Sequence, residues 1–195
     1  MMEAAGFLTE HMIAHILAMN IGAPLAVVAW RLWRGGGPAP GYACWVGPAA
    51  LVQITLLWAW HLPAPMAFAL GTPGGTMLMH GTLVLSALWF WRAVLEEAEE
   101  ARWRALGALA ITGKLFCLFG ALLTFAPRVL YSRAAEIHMG GPVSAAALLS
   151  DQQLAGLLML IACPLTYVLA GVVIAARWIR DIERRPPTYL PEESR

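Results

Sequence analysis

The chain has too little charge for a water-soluble protein of its size. Of its 195 residues, 13% are charged and 59% are hydrophobic, whereas soluble domains typically carry about 25% charged residues. The alternation of apolar and polar residues that marks a membrane β-barrel is absent, as are internal repeats and low-complexity tracts. The predicted fold class is therefore an all-α integral membrane protein.

Motifs for catalysis and nucleotide binding are also absent. Nothing resembles an activated nucleophile, a general-acid pair or a phosphate-binding loop, so we expect no enzymatic activity and no nucleic-acid partner. The three cysteines, Cys44, Cys117 and Cys163, form no C-x-x-C or C-x-x-x-C pair. This excludes the thiolate sites of soluble metallochaperones. We expect Cys44 near the inner surface, Cys117 and Cys163 as small core residues, and no disulfide.

Long apolar runs are what the sequence does contain. A helix needs about 20 mostly apolar residues to cross a hydrocarbon core about 30 Å thick. Five segments qualify, at residues 12–33, 43–61, 77–95, 104–126 and 152–178. We therefore predict one domain over residues 1–195, built as a single bundle of five transmembrane helices and ending in a cytoplasmic tail over residues 179–195. The lipid bilayer is its predicted surroundings.

The basic residues predict the orientation of this bundle. They follow spans one and five and flank the link between spans three and four, as Arg31, Arg104 and Arg180 illustrate. Because basic loops stay in the cytoplasm, we expect the N-terminus outside and the C-terminus inside. No basic residue precedes the first span, so a cleaved signal is not expected.

All five histidines fall on the predicted outer side. Two open span one, one closes span two, one lies near the start of span three and one lies in an outer loop: His11, His15, His61, His80 and His138. His11 and His15 are one helical turn apart and can offer two nitrogens to one metal ion. With His61 and His80 at similar depth, the pattern predicts a metal site made by these four residues.

The methionines favour copper as the metal. Imidazole suits copper and zinc, whereas thioether sulfur favours Cu(I). Candidate auxiliary ligands are Met12, Met19, Met79 and Met159. Three alternatives stay open: histidines that only anchor helices at the interface, a b-type haem held by two of His15, His61 and His80 in an electron carrier, and a structural subunit that binds neither.

The start of span five, "SDQQLAGLLM", is unusually polar. Ser150 or Asp151 can cap the helix, and Gly156 permits close approach of a neighbouring helix. Capping accounts for one polar residue and not for three. We expect Asp151 to accept the second N–H of a ligand histidine, with Gln152 beside it around the metal.

Other polar residues lie within the predicted spans. Lys114 is about ten residues into span four and is either functional or directed along the bundle wall toward water. Asn20 and Gln53 are expected to form hydrogen bonds between helices.

Several separated motifs resemble one known family. They are "HMIAH" followed by Pro24, "WHLPAPMAFAL", His80 followed by Phe90 and Trp91, and "DQQLAGLLM". Together they resemble the bacterial CtaG family of multispan assembly factors for caa-type cytochrome c oxidase, over nearly the whole chain. The chain departs from the family pattern at Met79, where an acid is usual, and at Leu160, where tryptophan is usual.

The resemblance implies an assembly factor for a copper-containing terminal oxidase. Such a factor is expected in the bacterial inner membrane, with its metal site facing the periplasm. It would bind Cu(I) at the outer His/Met cluster and hand it to a copper-containing subunit of the oxidase. Self-association into a homo-oligomer stays open.

Overall fold

The computed structural model describes residues 6–35, 45–141 and 143–184. Within these ranges all regular structure is helical, which confirms the predicted class. The predictions for Cys44 and for the end of the tail, residues 185–195, lie outside the described residues. The α-helices are α1 (Phe7–Ile16), α2 (Ala23–Trp33), α3 (Val46–Trp60), α4 (Pro63–Gly71), α5 (Pro73–Leu95), α6 (Arg102–Phe125), α7 (Ser132–Met139) and α8 (Ala145–Glu183).

Four helical segments are long and apolar enough to cross a membrane: Phe7–Trp33, Pro73–Leu95, Glu99–Phe125 and Ala145–Glu183. The pair α3 and α4, bent by 78°, is a fifth candidate. Four to five spans therefore agree with the predicted number, while the side on which each terminus lies stays a prediction. Helix α8 has 39 residues and is about 58 Å long, so the predicted tail begins inside it.

The first span changes helical type midway. Helix α1 passes into a π-helical turn, Leu17–Gly22, before α2 begins. Pro24 has no N–H and cannot bond the carbonyl of Asn20. One residue earlier, the carbonyl of Met19 accepts a hydrogen bond from Nε1 of Trp91 at 2.8 Å. The π turn thus joins the first span to α5, and it buries Met19 and Asn20 in the core.

The link between spans two and three, predicted as residues 62–76, is largely helical. Helix α3 ends at Trp60 and α4 begins at Pro63, since proline is well suited to a first helical position. Thr72 then caps α5 by accepting a hydrogen bond from the N–H of Gly75 at 3.0 Å. A Cβ at Gly75 would lie 2.8 Å from the Phe68 carbonyl oxygen. Glycine therefore permits α4 and α5 to approach closely, with His61 at the bend before α4.

Helices α6 and α8 pack through two facing glycines. A Cβ at Gly156 would lie 2.7 Å from the carbonyl oxygen of Gly120, and one at Gly120 would lie 2.9 Å from that of Gly156. The expected close approach at Gly156 is confirmed.

Two buried amides join helices as predicted. Nε2 of Gln53 donates to the Tyr167 hydroxyl at 3.1 Å, and Nδ2 of Asn20 donates to Sγ of Cys163 at 3.3 Å. These bonds connect α3 and the π turn to α8. Both predictions of interhelical hydrogen bonds are confirmed.

The two ends of the bundle differ in chemistry. At one end, Arg31 donates to the Leu95 carbonyl at 2.6 Å and Arg102 pairs with Asp181 at 2.7 Å. At the other end, α1 packs against α8, and the ring of His11 lies near those of His61 and His80. The short helices α4 and α7 pack together beside this second end, which holds the histidines.

Candidate metal centre

Three histidines from two spans converge on one point. The rings of His11 and His15, one turn apart on α1, have centroids 4.2 Å apart. His61 reaches them from the bend after α3. Their ligand nitrogens all lie within 4.8 Å of one another. The side chains are only 8%, 5% and 2% exposed, respectively. The three residues are therefore close enough together to be candidate ligands of a single ion.

His80 forms the fourth side of the cluster. Its ring centroid lies 4.9 Å from that of His15 and 5.6 Å from that of His11. It comes from α5, two turns after the Thr72 cap, and it is half-buried. The structure thus brings together all four histidines singled out from the sequence, and His80 is the most exposed of them.

Backbone carbonyls orient two of the rings. Nδ1 of His61 lies 2.7 Å from the Leu57 carbonyl oxygen, and Nδ1 of His80 lies 2.8 Å from that of Thr76. A carbonyl can only accept, so Nδ1 carries the proton in each ring and Nε2 keeps its lone pair. Metal-binding histidines are commonly held in this way.

Several ring nitrogens in the cluster have no hydrogen-bond partner among the described residues. They are Nε2 of His11, both nitrogens of His15 and Nε2 of His61. Leaving a buried polar group unsatisfied costs about 1–3 kcal/mol. The fold therefore maintains several buried lone pairs or N–H groups that a bound ion or water could satisfy.

A small cavity of about 10 Å³ adjoins the cluster on its inner side. Three of the four candidate methionines, Met12, Met19 and Met159, line it together with His15. The fourth, Met79, is buried in the core but is not among the lining residues. Three methionine side chains and the His15 ring therefore line the same cavity.

A family model described as cytochrome c oxidase caa3 assembly factor (Caa3_CtaG) matches residues 3–181. The chain belongs to this family. The match includes every histidine and all the candidate spans except the last two residues of α8. No curated protein and no solved structure shows significant similarity. Membership of the Caa3_CtaG family confirms the resemblance found in the sequence and implies a membrane role in assembly of the oxidase.

The described hydrogen bonds of Asp151 are to the start of the first span, and its predicted role beside a ligand histidine stays a prediction. Its carboxylate accepts hydrogen bonds from the N–H groups of Leu8 and Thr9, at 2.9 and 3.0 Å, and from the Thr9 hydroxyl at 2.6 Å. None of its described bonds involves a histidine ring. The start of α8 lies beside the start of α1, where free N–H groups and the helix dipole attract an anion. In this family member, Asp151 caps the helix that carries His11 and His15.

Gln152 also acts away from the histidines. Its Oε1 accepts from the Leu130 N–H at 2.8 Å, and its Nε2 donates to the carbonyls of Leu123 and Arg128 at 3.3 Å. These bonds fix the chain where it leaves α6. The described hydrogen bonds of the Gln152 amide are all to backbone groups, and its predicted position around the metal stays a prediction.

Two residues that lie near the cluster could not be predicted from the sequence. The Tyr131 hydroxyl donates to the His61 carbonyl at 2.7 Å, and the ring centroid of Phe119 lies 5.1 Å from that of His61. Tyr131 comes from an irregular segment before α7, where no periodicity predicts a position. Cys163, expected only in the core, lines the cavity beside Met159.

Two other candidates lie outside the cluster. His138 is exposed on α7, with its ring centroid 5.7 Å from that of Phe7. Lys114 is exposed on α6, beside a groove that also contains Cys117. This position agrees with a lysine directed along the bundle wall.

Proposed function

We propose that this protein binds copper as Cu(I) at the cluster of His11, His15, His61 and His80 and passes it to a copper-containing subunit of the oxidase. One observation carries the proposal. The ligand nitrogens of three buried histidines lie within 4.8 Å of one another, and nitrogens of each have no hydrogen-bond partner within the described ranges. A bound ion would accept the lone pairs that the protein leaves unsatisfied.

The charge of the cluster supports a monovalent ion. Within the described chain, the one group of three or more potential ligands with metal spacing consists of histidines only. Neutral imidazoles do not offset the charge of an ion, and the Born cost of burial rises with the square of the charge. A divalent ion would therefore cost about four times as much as a monovalent ion of equal size. The neighbouring thioethers also favour Cu(I).

The cluster also suits release of its ion. It contains no thiolate, the ligand that holds copper most firmly, and its half-buried member His80 opens the site on one side. Copper held by neutral imidazoles can be given up to a partner with stronger ligands. We infer a carrier rather than an enzyme, in the inner membrane with the cluster facing the periplasm.

The spacing of the rings favours an ion over haem. A haem iron with two histidine ligands needs the imidazoles on opposite faces of the macrocycle. Here the ring centroid of His15 lies 4.9 Å from that of His80 and 5.5 Å from that of His61. The adjoining cavity is about 10 Å³, far too small for a porphyrin.

His15→Ala tests the proposal in the cell, because His15 is the deepest of the clustered histidines on α1. We expect copper in the purified variant to fall by about 10-fold or more, and host oxidase activity to fall with it at unchanged protein level. Excess copper should partly restore activity by mass action. His138→Ala is the matched control, since this exposed histidine lies outside the cluster.

Retention of copper and oxidase activity in His11→Ala, His15→Ala and the double variant would overturn the proposal. In that case the pair would serve only to anchor the helix at the interface.

A further inference from the structure

The cavity below the histidines brings together an unusual set of soft donors. It lies along the first span, one turn beyond His15, against the middle of α8. The polar and sulfur-bearing residues that line it are Met12, His15, Met19, Asn20, Met159 and Cys163. All six are at most 5% exposed. The volume of about 10 Å³ is close to the minimum that holds one water molecule, so a single ion would fill it.

Helical spacing explains why these donors face each other. Met12, His15 and Met19 follow one another at intervals of three and four residues and share a face of the first span. Met159 and Cys163 are four residues apart on α8 and share the face opposite. One helix thus supplies two thioethers and an imidazole, and the other supplies a thioether and a thiol.

His15 points to a ligand in this cavity. It is 5% exposed, it lines the cavity, and neither of its ring nitrogens has a hydrogen-bond partner in the described part of the chain. A neutral imidazole has one lone pair and one N–H group. The lone pair of His15 can therefore bind an ion in the cluster with His11 and His61 or an ion in the cavity, one at a time.

Asn20 orients the side chain of Cys163. Its Nδ2 donates a hydrogen bond to Sγ of Cys163 at 3.3 Å. This bond fixes the position of the sulfur-bearing side chain that lines the cavity. Asn20 takes this position because the π turn places it and Met19 together in the core.

We propose that Met12, Met19, Met159 and Cys163 hold a second Cu(I) ion, with His15 placed between this inner site and the histidine cluster so that its one lone pair can bind the ion in either site. The inference rests on the proposed copper function. Thiolate and thioether sulfur are the ligands that select Cu(I). On binding, the S–H bond of Cys163 is replaced by an S–Cu bond and the proton leaves to water. One positive charge enters as one leaves, so no net charge is buried in the bundle.

X-ray absorption at the copper edge tests the inner site in the full-length chain, purified and loaded anaerobically with Cu(I). We expect sulfur as well as nitrogen ligands in the wild type. Cys163→Ser and Met159→Leu each keep the side-chain size. They should lose most of the sulfur signal and about half of the bound copper while keeping the nitrogen signal. Elution as a single species on size exclusion verifies that each variant is folded.

The controls are Cys117→Ser and Met66→Leu, at a half-buried cysteine on α6 and a buried methionine on α4, neither of which lines the cavity. Both should keep the wild-type spectrum. The double variant His11→Ala/His61→Ala should retain sulfur-bound copper. Copper bound through nitrogen alone in the wild type would overturn the inner site and leave the histidine site standing. Absence of bound copper in the wild type would overturn both.

Discussion

At the residue scale, the four clustered histidines are held by different means. His61 and His80 have their Nδ1–H groups on backbone carbonyls, so their Nε2 atoms keep the lone pairs that a metal ion would need. His11 and His15 depend on the position of α1, which Asp151 sets by capping its first turn. The geometry of the site therefore rests on backbone contacts, and no carboxylate is needed beside a ring.

Tyr131→Phe tests how strongly Cu(I) binding depends on the position of His61. The variant loses the hydrogen bond from the hydroxyl to the His61 carbonyl, which is 2.7 Å long. We expect unfolding in detergent to become easier by about 1 kcal/mol. We also expect Cu(I) affinity to fall toward the lower end of the 10- to 100-fold range known for residues that support metal ligands, about 10-fold.

Tyr167→Phe is the matched control, because its hydroxyl meets Gln53 away from the cluster. It should lose a similar amount of stability and no copper affinity. If both variants bound copper like the wild type, Tyr131 would have no part in the site.

Glu97 predicts a dependence of stability on pH. Burial raises the pKa of its carboxyl above the ordinary value, and the charge of Arg104 opposes this effect. Between the ordinary and the raised pKa, the native state binds more protons than the unfolded state, so the free energy of unfolding falls as pH rises. Glu97→Gln should remove this slope and increase stability at neutral pH. Thermal unfolding in detergent across this pH range measures both the slope and the stability.

The exposed Glu100 on the same link provides the control. Glu100→Gln should leave the slope unchanged. A Glu97→Gln variant with the wild-type slope would show that the carboxyl is hydrated in the folded protein.

At the scale of the elements, the crossing of α6 and α8 tolerates no side chain at its closest point. Gly156→Ala would place a Cβ 2.7 Å from the Gly120 carbonyl oxygen, so the helices must separate. We expect a loss of about 1–3 kcal/mol in the free energy of unfolding. Denaturation in detergent, followed by circular dichroism, measures the loss.

Gly107→Ala is the opposite case on α6. A Cβ there has no neighbour within 4 Å among the described residues, and alanine favours a helix interior over glycine. The variant should gain about 0.5–1 kcal/mol. Equal effects of the two substitutions would argue against the close crossing.

The spans and the histidines could be predicted from the sequence, whereas several contacts around them could not. Long apolar runs specify α5 and α6 because each must cross the bilayer alone. The short helices α4 and α7 lie in the links between spans, where no long apolar run predicts a helix. The π turn depends on the contact between Met19 and Trp91, which are far apart in the sequence. The cap from Asp151 to Thr9 joins residues 142 positions apart. Spacing along one helix could not indicate that partner.

At the scale of the whole molecule, the orientation in the membrane decides which compartment the histidines meet. The arginine pattern predicts that Gly74 is outside and Ala98 inside, and both positions are exposed. In intact cells, a membrane-impermeant thiol reagent should therefore label Gly74→Cys and leave Ala98→Cys unmodified. The parent chain labelled in parallel gives the background from the native cysteines. The reverse labelling would place the histidine cluster on the cytoplasmic side.

Binding of Cu(I) at the histidine cluster can be measured in a single titration. Purified protein is titrated anaerobically with Cu(I) against a coloured competing chelator, and its visible spectrum is recorded before loading. We predict tight Cu(I) binding and no haem absorbance for the wild type, with affinity at least about 10-fold weaker for His15→Ala and unchanged for His138→Ala. A haem band without copper, or equal affinities for the wild type and His15→Ala, would contradict the account.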